Sequence, residues 1–320
     1  MLIKKIKLLI TIAMIGASIF SCIKNETTDK ISISASVYPL YEFAKAVGGE
    51  KAEVSMILPP GTDIHSYEPK PMDLVRINSS DIFIYISEYL EPWAKEIVDS
   101  TINSHISIIK ASEGITLTES EHNHEHSHKE EGEDADNDDH SDLSKDPHIW
   151  LDFEICQTIV DKLLNELIKI DPSNSEYYLN SAGLYKQKLE ELDKKYIAAI
   201  NRCQSKTIIT GGHFAFGRMA KRYGLNHISP YRGFTTDAEP SPQVIASMID
   251  MIKRDNIEYI FFEELLRPKV AEAISAETGV KPELLHGAHN ISKKEFRDQT
   301  SFISIMEENL EKLKKGLKYQ

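Results

Sequence analysis

Apolar residues alternate with polar ones at Ile31, Ile33, Ala35 and Val37, the period of a strand with one buried face. A helical stretch over 41–47 follows and is closed by Gly48-Gly49. A second strand over 54–58 then runs into the turn Pro59-Pro60-Gly61. The spacing next predicts a helix over 71–77, a buried strand over 82–86, a helix over 92–102 with Pro92 near its start, and a strand over 105–109. Strand and helix in alternation predict an α/β unit.

A strongly helical stretch at 154–170 carries Ile155, Ile159, Leu163, Leu164 and Leu167 along one face. Asp171 then caps a new helix with Pro172 as its first residue, running through Tyr178, Leu184, Leu189, Leu192 and Tyr196 to about Asn201. Thirty residues of helix span about 45 Å, a length suited to bridging two lobes. Beyond it the alternation resumes: strand 207–210, helix 214–222 ended by Gly224, an extended stretch 228–234, and helix 242–253 after Ser241. Strand 259–262, helix 269–277 stopped by Gly279, Leu284-Leu285, and one or two helices over 293–318 complete the chain. Both halves have the same order of elements without a sequence repeat. The expected fold is therefore α/β, with two lobes of mainly parallel sheet flanked by helices, 31–170 and 203–320, joined by one long rigid helix over 171–202. A chain of 320 residues exceeds one ordinary core, which fits two domains.

Two stretches fall outside this pattern. Lys4, Lys5 and Lys7 precede an apolar run, 8–20, that is short for a bilayer span. Residues 1–21 thus read as an export signal, and Ile19-Phe20-Ser21-Cys22 resembles a bacterial lipoprotein processing site, with 22–30 as a polar tether. Lipidation at Cys22 would leave Cys156 and Cys203, too few for a disulfide framework and placed in helical patterns as small buried hydrophobes. The second stretch, 119–142, holds eleven acidic residues and five histidines (His122, His124, His126, His128, His140) with almost nothing apolar to offset the entropy of ordering. Its His124-Glu125-His126-Ser127-His128 matches the H-E-x-x-H pattern of zinc proteases in letters only, since no apolar stripe is present to dock the required helix. Removing the three signal lysines from the formal charge of −13 leaves −16, which argues against nucleic acid and suits a cationic ligand.

Four isolated histidines sit in loops at or just past strand ends, where α/β sheets present ligands. They are His65 after Pro59-Pro60-Gly61, His148 in Asp146-Pro147-His148-Ile149-Trp150, His213 in Gly211-Gly212-His213-Phe214, and His286 in Leu284-Leu285-His286-Gly287-Ala288-His289. Neutral imidazoles suit zinc, and these four are expected to converge on one ion. Glu263, at the end of strand 259–262, either orients an imidazole or is a solvated strand-end charge. Trp150 and Phe216 are expected to pack around the site, and His105 and His227 to lie on the surface as polar residues.

Several motifs together resemble one family. Pro59-Pro60-Gly61 with His65 and Tyr67-Glu68-Pro69, Asp146-Pro147-His148-Ile149-Trp150, His213-Phe214-Ala215-Phe216 and Glu239-Pro240-Ser241-Pro242 are similar to the ZnuA-type solute-binding proteins, exported metal receptors of zinc and manganese ABC importers. The resemblance covers essentially the whole mature chain. It implies two lobes joined by a rigid helix, with Zn2+ held between them and passed to a membrane permease. His65, His148 and His213 match the first three family ligands. The fourth place, commonly aspartate, falls here to His286, with His289 as the alternative. The resemblance implies a monomeric binding protein without enzymatic activity, anchored in the bacterial envelope facing the periplasm or the exterior. The histidine-rich stretch either collects additional zinc weakly or is a tolerated insertion. The rival readings are a manganese or iron receptor of the same family, a surface adhesin, and a zinc hydrolase, which would need an open coordination position and a general base.

Overall fold

The structure, a computed structural model, describes residues 30–100, 105–117, 145–213, 215–231, 240–265 and 268–320. Residues 1–21, read above as an export signal, Cys22, Phe214, Glu239 and the five histidines of 119–142 lie outside the described residues.

In the first half, strands β1 (Ile31–Ala35), β2 (Ala52–Met56), β3 (Ile82–Tyr85) and β4 (Ser107–Lys110) pair in parallel in the order β2-β1-β3-β4. Helices α1 (Tyr38–Gly48), α2 (Pro71–Asn78) and α3 (Pro92–Ser100) make the crossovers that parallel pairing requires. In the second half β5 (Thr207–Ile209) pairs with β6 (Asn226–Ile228), and β7 (Tyr259–Phe262) pairs with β8 (Lys281–Leu284), both in parallel. A parallel bridge, Thr210 to Phe261, joins the two pairs, and Gly211 N–H donates to Phe261 O at 2.7 Å. The resulting order, β6-β5-β7-β8, repeats that of the first half. The same order of elements expected from the sequence thus gives the same sheet twice.

Between the halves stand α4 (Phe153–Ile170) and the 28-residue α5 (Ser175–Arg202). Asp152 caps α4 by accepting from the N–H groups of Glu154 and Ile155. At Pro172 the chain departs from expectation: Pro172–Asn174 form a 3-10 turn, and the α-helix starts only at Ser175. Asp171 turns its carboxylate to Ser173, Asn174 and Tyr178 side chains, so its oxygens hold the turn instead of opening an α-helix directly. α5 packs on α4, on α1 from the first half and on α10 (Phe302–Gly316) from the second. One core accordingly runs from Ile33 and Phe43 through Leu163, Leu189 and Tyr196 to Phe302 and Leu313, and residues 31–320 form one compact unit. A smaller core of Ile209, Met248, Ile252, Ile260, Ala271 and Ile274 lies among β5, β7, α7 (Pro242–Arg254) and α8 (Lys269–Thr278).

The extended stretch expected at 228–234 begins earlier, as β6, and residues 232–234 lie outside the described residues. The last helical stretch divides into α9 (Lys293–Arg297) and α10 because Gln299 takes a left-handed φ of 55° and Ser301 starts a new helix as its cap. Ser241 caps α7 as expected, accepting from Val244 N–H. Among the described residues no helix is long and apolar enough to cross a membrane. Cys156 and Cys203 are both buried and unpaired.

Candidate metal centre

Parallel strands all point their C-terminal ends the same way, so the loops that leave them collect at one edge. The loop after β2 carries His65, the loop after β5 carries His213, and the segment after β8 carries His289. His148 arrives from a different direction, at the head of the wholly buried 3-10 turn Ile149–Leu151. One ligand atom from each of His65, His148, His213 and His289 lies within 4.8 Å of the others. Nε2 of His148 is 3.4 Å from Nε2 of His213. Tetrahedral zinc with bonds of about 2.0–2.1 Å separates its ligand atoms by about 3.4 Å, so this pair already stands at coordination spacing.

His286 does not join them. Its Nδ1 accepts the Ala288 N–H at 2.9 Å, which puts the ring hydrogen of a neutral His286 on Nε2, and that atom lies 3.7 Å from Glu295 Oε1. A ligand needs a bare nitrogen facing the ion. The expected fourth ligand, His286, stands outside this group of nitrogens, and its alternative, His289, stands within it.

Two of the other imidazoles have the opposite arrangement. His148 Nδ1 donates to Asp146 Oδ1 at 2.8 Å, and His289 Nδ1 donates to Glu264 Oε1 at 3.1 Å. His213 Nδ1 lies 2.6 Å from Glu263 Oε2, an ion-pair contact and not an aligned hydrogen bond. A carboxylate only accepts, so Nδ1 of His148 and of His289 carries the hydrogen and their Nε2 is left bare. Buried Nε2 atoms of His65 and His289 make no hydrogen bond. Glu263 therefore stands against an imidazole, the contact that an orienting role would need. Asp146 and Glu264 had no such role assigned. The signal was present in part, since Glu263-Glu264 is an acidic pair ending an apolar strand.

Around these atoms the packing is tight. Trp150 is fully buried, donates from Nε1 to Gly287 O at 2.8 Å, and sets its ring edge-on to His148 and His289. Asn290 Nδ2 donates to Pro59 O at 2.7 Å and Thr62 O at 2.8 Å, tying the His289 segment to the loop of His65. A cavity of about 20 Å³ remains, bordered by His65, His213, His289, Glu263 and Asn290. That is room for one water or ion, far below the few hundred Å³ of a typical organic ligand pocket. Phe216 is buried against the half-buried His227, whose Nε2 lies 3.0 Å from Thr210 Oγ1, so His227 is not the surface residue expected.

Electrostatics follow from burial and these pairings. Burial, reinforced by the neighbouring His213 and His289, pushes His65 down to about 2. Burial likewise holds His148 well below the ordinary imidazole value. His289 is raised: burial opposes its charging, but the hydrogen bond and charge of Glu264 outweigh that cost. Burial raises Asp146 to about 7.

Two glycines give the carboxylates their space. A Cβ on Gly212 would overlap Glu263 Oε1, and one on Gly287 would overlap the His289 ring at Cε1 and Nδ1. Gly287→Ala is thus expected to turn His289 off Glu264 and to weaken metal binding by about 10–100-fold, the usual cost of losing an imidazole's carboxylate partner. Calorimetric titration of the variant measures it, and an unchanged affinity would show that His289 contributes nothing.

A family model described as the periplasmic zinc-uptake complex component A, ZnuA, matches residues 33–316. The high-affinity zinc uptake system protein ZnuA of Bacillus subtilis is 37% identical over 289 residues, covering 90% of this chain and 88% of that protein. The zinc-binding protein AdcA of Streptococcus pyogenes is 36% identical over 289 residues, covering 89% of this chain but 56% of AdcA, so the chain spans just over half of that relative. Among solved structures, the Zn(II)-bound ZnuA-like domain of Streptococcus pneumoniae AdcA has a TM-score of 0.74 at 30% identity, covering 90% of this chain and 99% of that one.

Proposed function

Because the chain belongs to the ZnuA family of zinc-uptake components, we propose that His65, His148, His213 and His289 are the ligands with which it captures its cargo. The protein is a zinc-binding receptor of an ABC importer, exported to the cell envelope, and its partner is the importer's permease. Its family carries an ion and is not a family of enzymes. The observation that carries the ligand set is the convergence of four imidazole nitrogens within 4.8 Å, three of the rings backed by carboxylates.

The chemistry of the site supports zinc. Imidazole donors favour zinc, copper and nickel, whereas manganese sites lean on carboxylate oxygens. Four neutral ligands leave the ion's two positive charges uncompensated in a buried place. Asp146, Glu263 and Glu264, one bond removed through the rings, supply the compensating charge without entering the coordination sphere. The small cavity speaks for a carrier over a hydrolase, which would have to seat an organic substrate beside the ion. Two lobes, 31–170 and 203–320 about the helix 171–202, would then be stapled by the ion, since His65 and His148 come from the first and His213 and His289 from the second. Cys22 is proposed as the site of a lipid anchor on a monomeric receptor, supported by the basic and apolar pattern that precedes it.

Metal content tests this reading. A soluble form starting after Cys22 and lacking 119–142, stripped and then equilibrated with zinc and manganese together, is expected to retain about one zinc per chain and little manganese. Elemental analysis counts both. Retained manganese, or no metal, would refute the four-histidine site.

A further inference from the structure

Arg222 lies in α6 (Gly217–Tyr223), the helix that follows His213. Its guanidinium reaches three carboxylates on two other elements. Nε and Nη2 each donate to Asp193 of α5 at 2.7 Å, while Nη1 lies 3.1 Å from Asp152 and 2.7 Å from Glu154 at the start of α4. Tyr223 OH also donates to Asp193, at 2.8 Å. Arg222, Asp152 and Asp193 are mostly buried, while Glu154 is exposed.

These contacts bear on the ligands because the connecting segments are short and internally bonded. Asp152 is four residues beyond His148, across a buried turn in which Leu151 N–H donates to His148 O and Asp152 N–H donates to Ile149 O. On the other side Ala215 N–H donates to His213 O, and Ala220 N–H donates to Phe216 O at the opening of α6. One turn before Arg222, Arg218 donates to Thr116 O of the first half at 2.8 Å. The far ends of the His148 and His213 segments therefore meet at one guanidinium, and that guanidinium is held in register by the long helix.

We propose that Arg222 is a positioning residue for metal capture, fixing the 3.4 Å spacing of the His148 and His213 nitrogens before the ion arrives. Preorganisation of this kind spares binding the work of ordering its ligands. A lysine keeps the charge but lacks the planar fork that grips Asp193 with two bonds. The proposal rests on His148 and His213 being ligands, as proposed above.

The test is a double-mutant cycle read by chelator competition and by the zinc dissociation rate. Arg222→Lys and, independently, Asp193→Asn are each made in the wild-type and His213→Ala backgrounds, with melting of the metal-free proteins to identify folded variants. Each substitution is expected to weaken zinc binding about tenfold in the wild type, as loss of a ligand's supporting contacts does, and to speed dissociation. In the His213→Ala background each should cost less than about twofold, because the spacing it sets no longer matters. Unchanged affinity in the wild-type background, or equal losses in both backgrounds, would overturn the proposal. If Arg222→Lys fails to fold, Asp193→Asn alone decides by the same comparison. Failure of the wild type itself to hold zinc would instead refute the ligand reading.

Discussion

Replacing His289 with alanine is expected to lower zinc affinity by about a hundredfold or more, while His286→Ala lowers it by less than about threefold. A four-ligand zinc site is worth about 10–16 kcal/mol, so one ligand carries roughly 3 kcal/mol, about a hundredfold in affinity. His289 has its Nδ1 hydrogen engaged by Glu264 and a bare, buried Nε2 beside the other rings. His286 accepts a backbone N–H at Nδ1 and so offers no bare nitrogen at Nε2. Its main chain is clamped by Asn309, which accepts from His286 N–H and donates to His286 O, and neither bond depends on the imidazole. His286→Ala should therefore lower the melting temperature, since it strips a buried ring from between Glu264 and Glu295, without emptying the site. Competition against a chromophoric chelator of known affinity separates the two variants. A larger loss for His286→Ala would return the fourth position to it.

The contrast between these two histidines also shows where the sequence ran out. The strand-and-helix order of both halves was legible because it depends on local periodicity, and the same sheet order appears twice in the fold. His65, His148 and His213 were legible as isolated histidines in loops after turn-forming residues. His286 and His289 are three residues apart in one loop, and no local pattern tells them apart. What does so is distant: Glu264 enters from β7, and Trp150 pins Gly287 from the first half. Glu264 escaped notice for the same reason, since its partners lie at Gly287 and His289, more than twenty residues away. Asp146 belongs to a recognisable motif, but its bond to His148 depends on a ring orientation that composition does not encode. The 3-10 turn at Pro172 was missed because Asp171 has two ways to use its carboxylate, and side chains outcompeted the helix start.

Zinc affinity is expected to fall by about a power of ten for each pH unit below the raised value of His289, far less steeply than four free imidazoles would give. A ligand must be unprotonated to bind, so each proton displaced contributes a slope of one in log affinity against pH. Four free imidazoles would approach a slope of four below about pH 6.5. Here His65, held at about 2, and His148, held well below its ordinary value, are neutral already and have no proton to give up. His289 is the ring with a proton to exchange. Glu264 raises the value of His289 against the pull of burial, so the metal-free ring holds its proton to higher pH than a free imidazole and exchanges it for the ion. The sign follows: with His289 raised, acid favours the protonated ring, and affinity declines as pH falls through and below that raised value. Chelator competition from pH 7.5 to 5.5 should show the decline set in at the raised value of His289 and approach about tenfold per pH unit below it. A flat profile would remove His289 from the ligand set, and a slope of three or more would mean that His65 and His148 are reached by protons despite their burial. Glu264→Gln supplies the control. Without the carboxylate His289 loses the influence that raises it, so the decline should begin at lower pH, while affinity at high pH drops about 10–100-fold because the ring is no longer oriented.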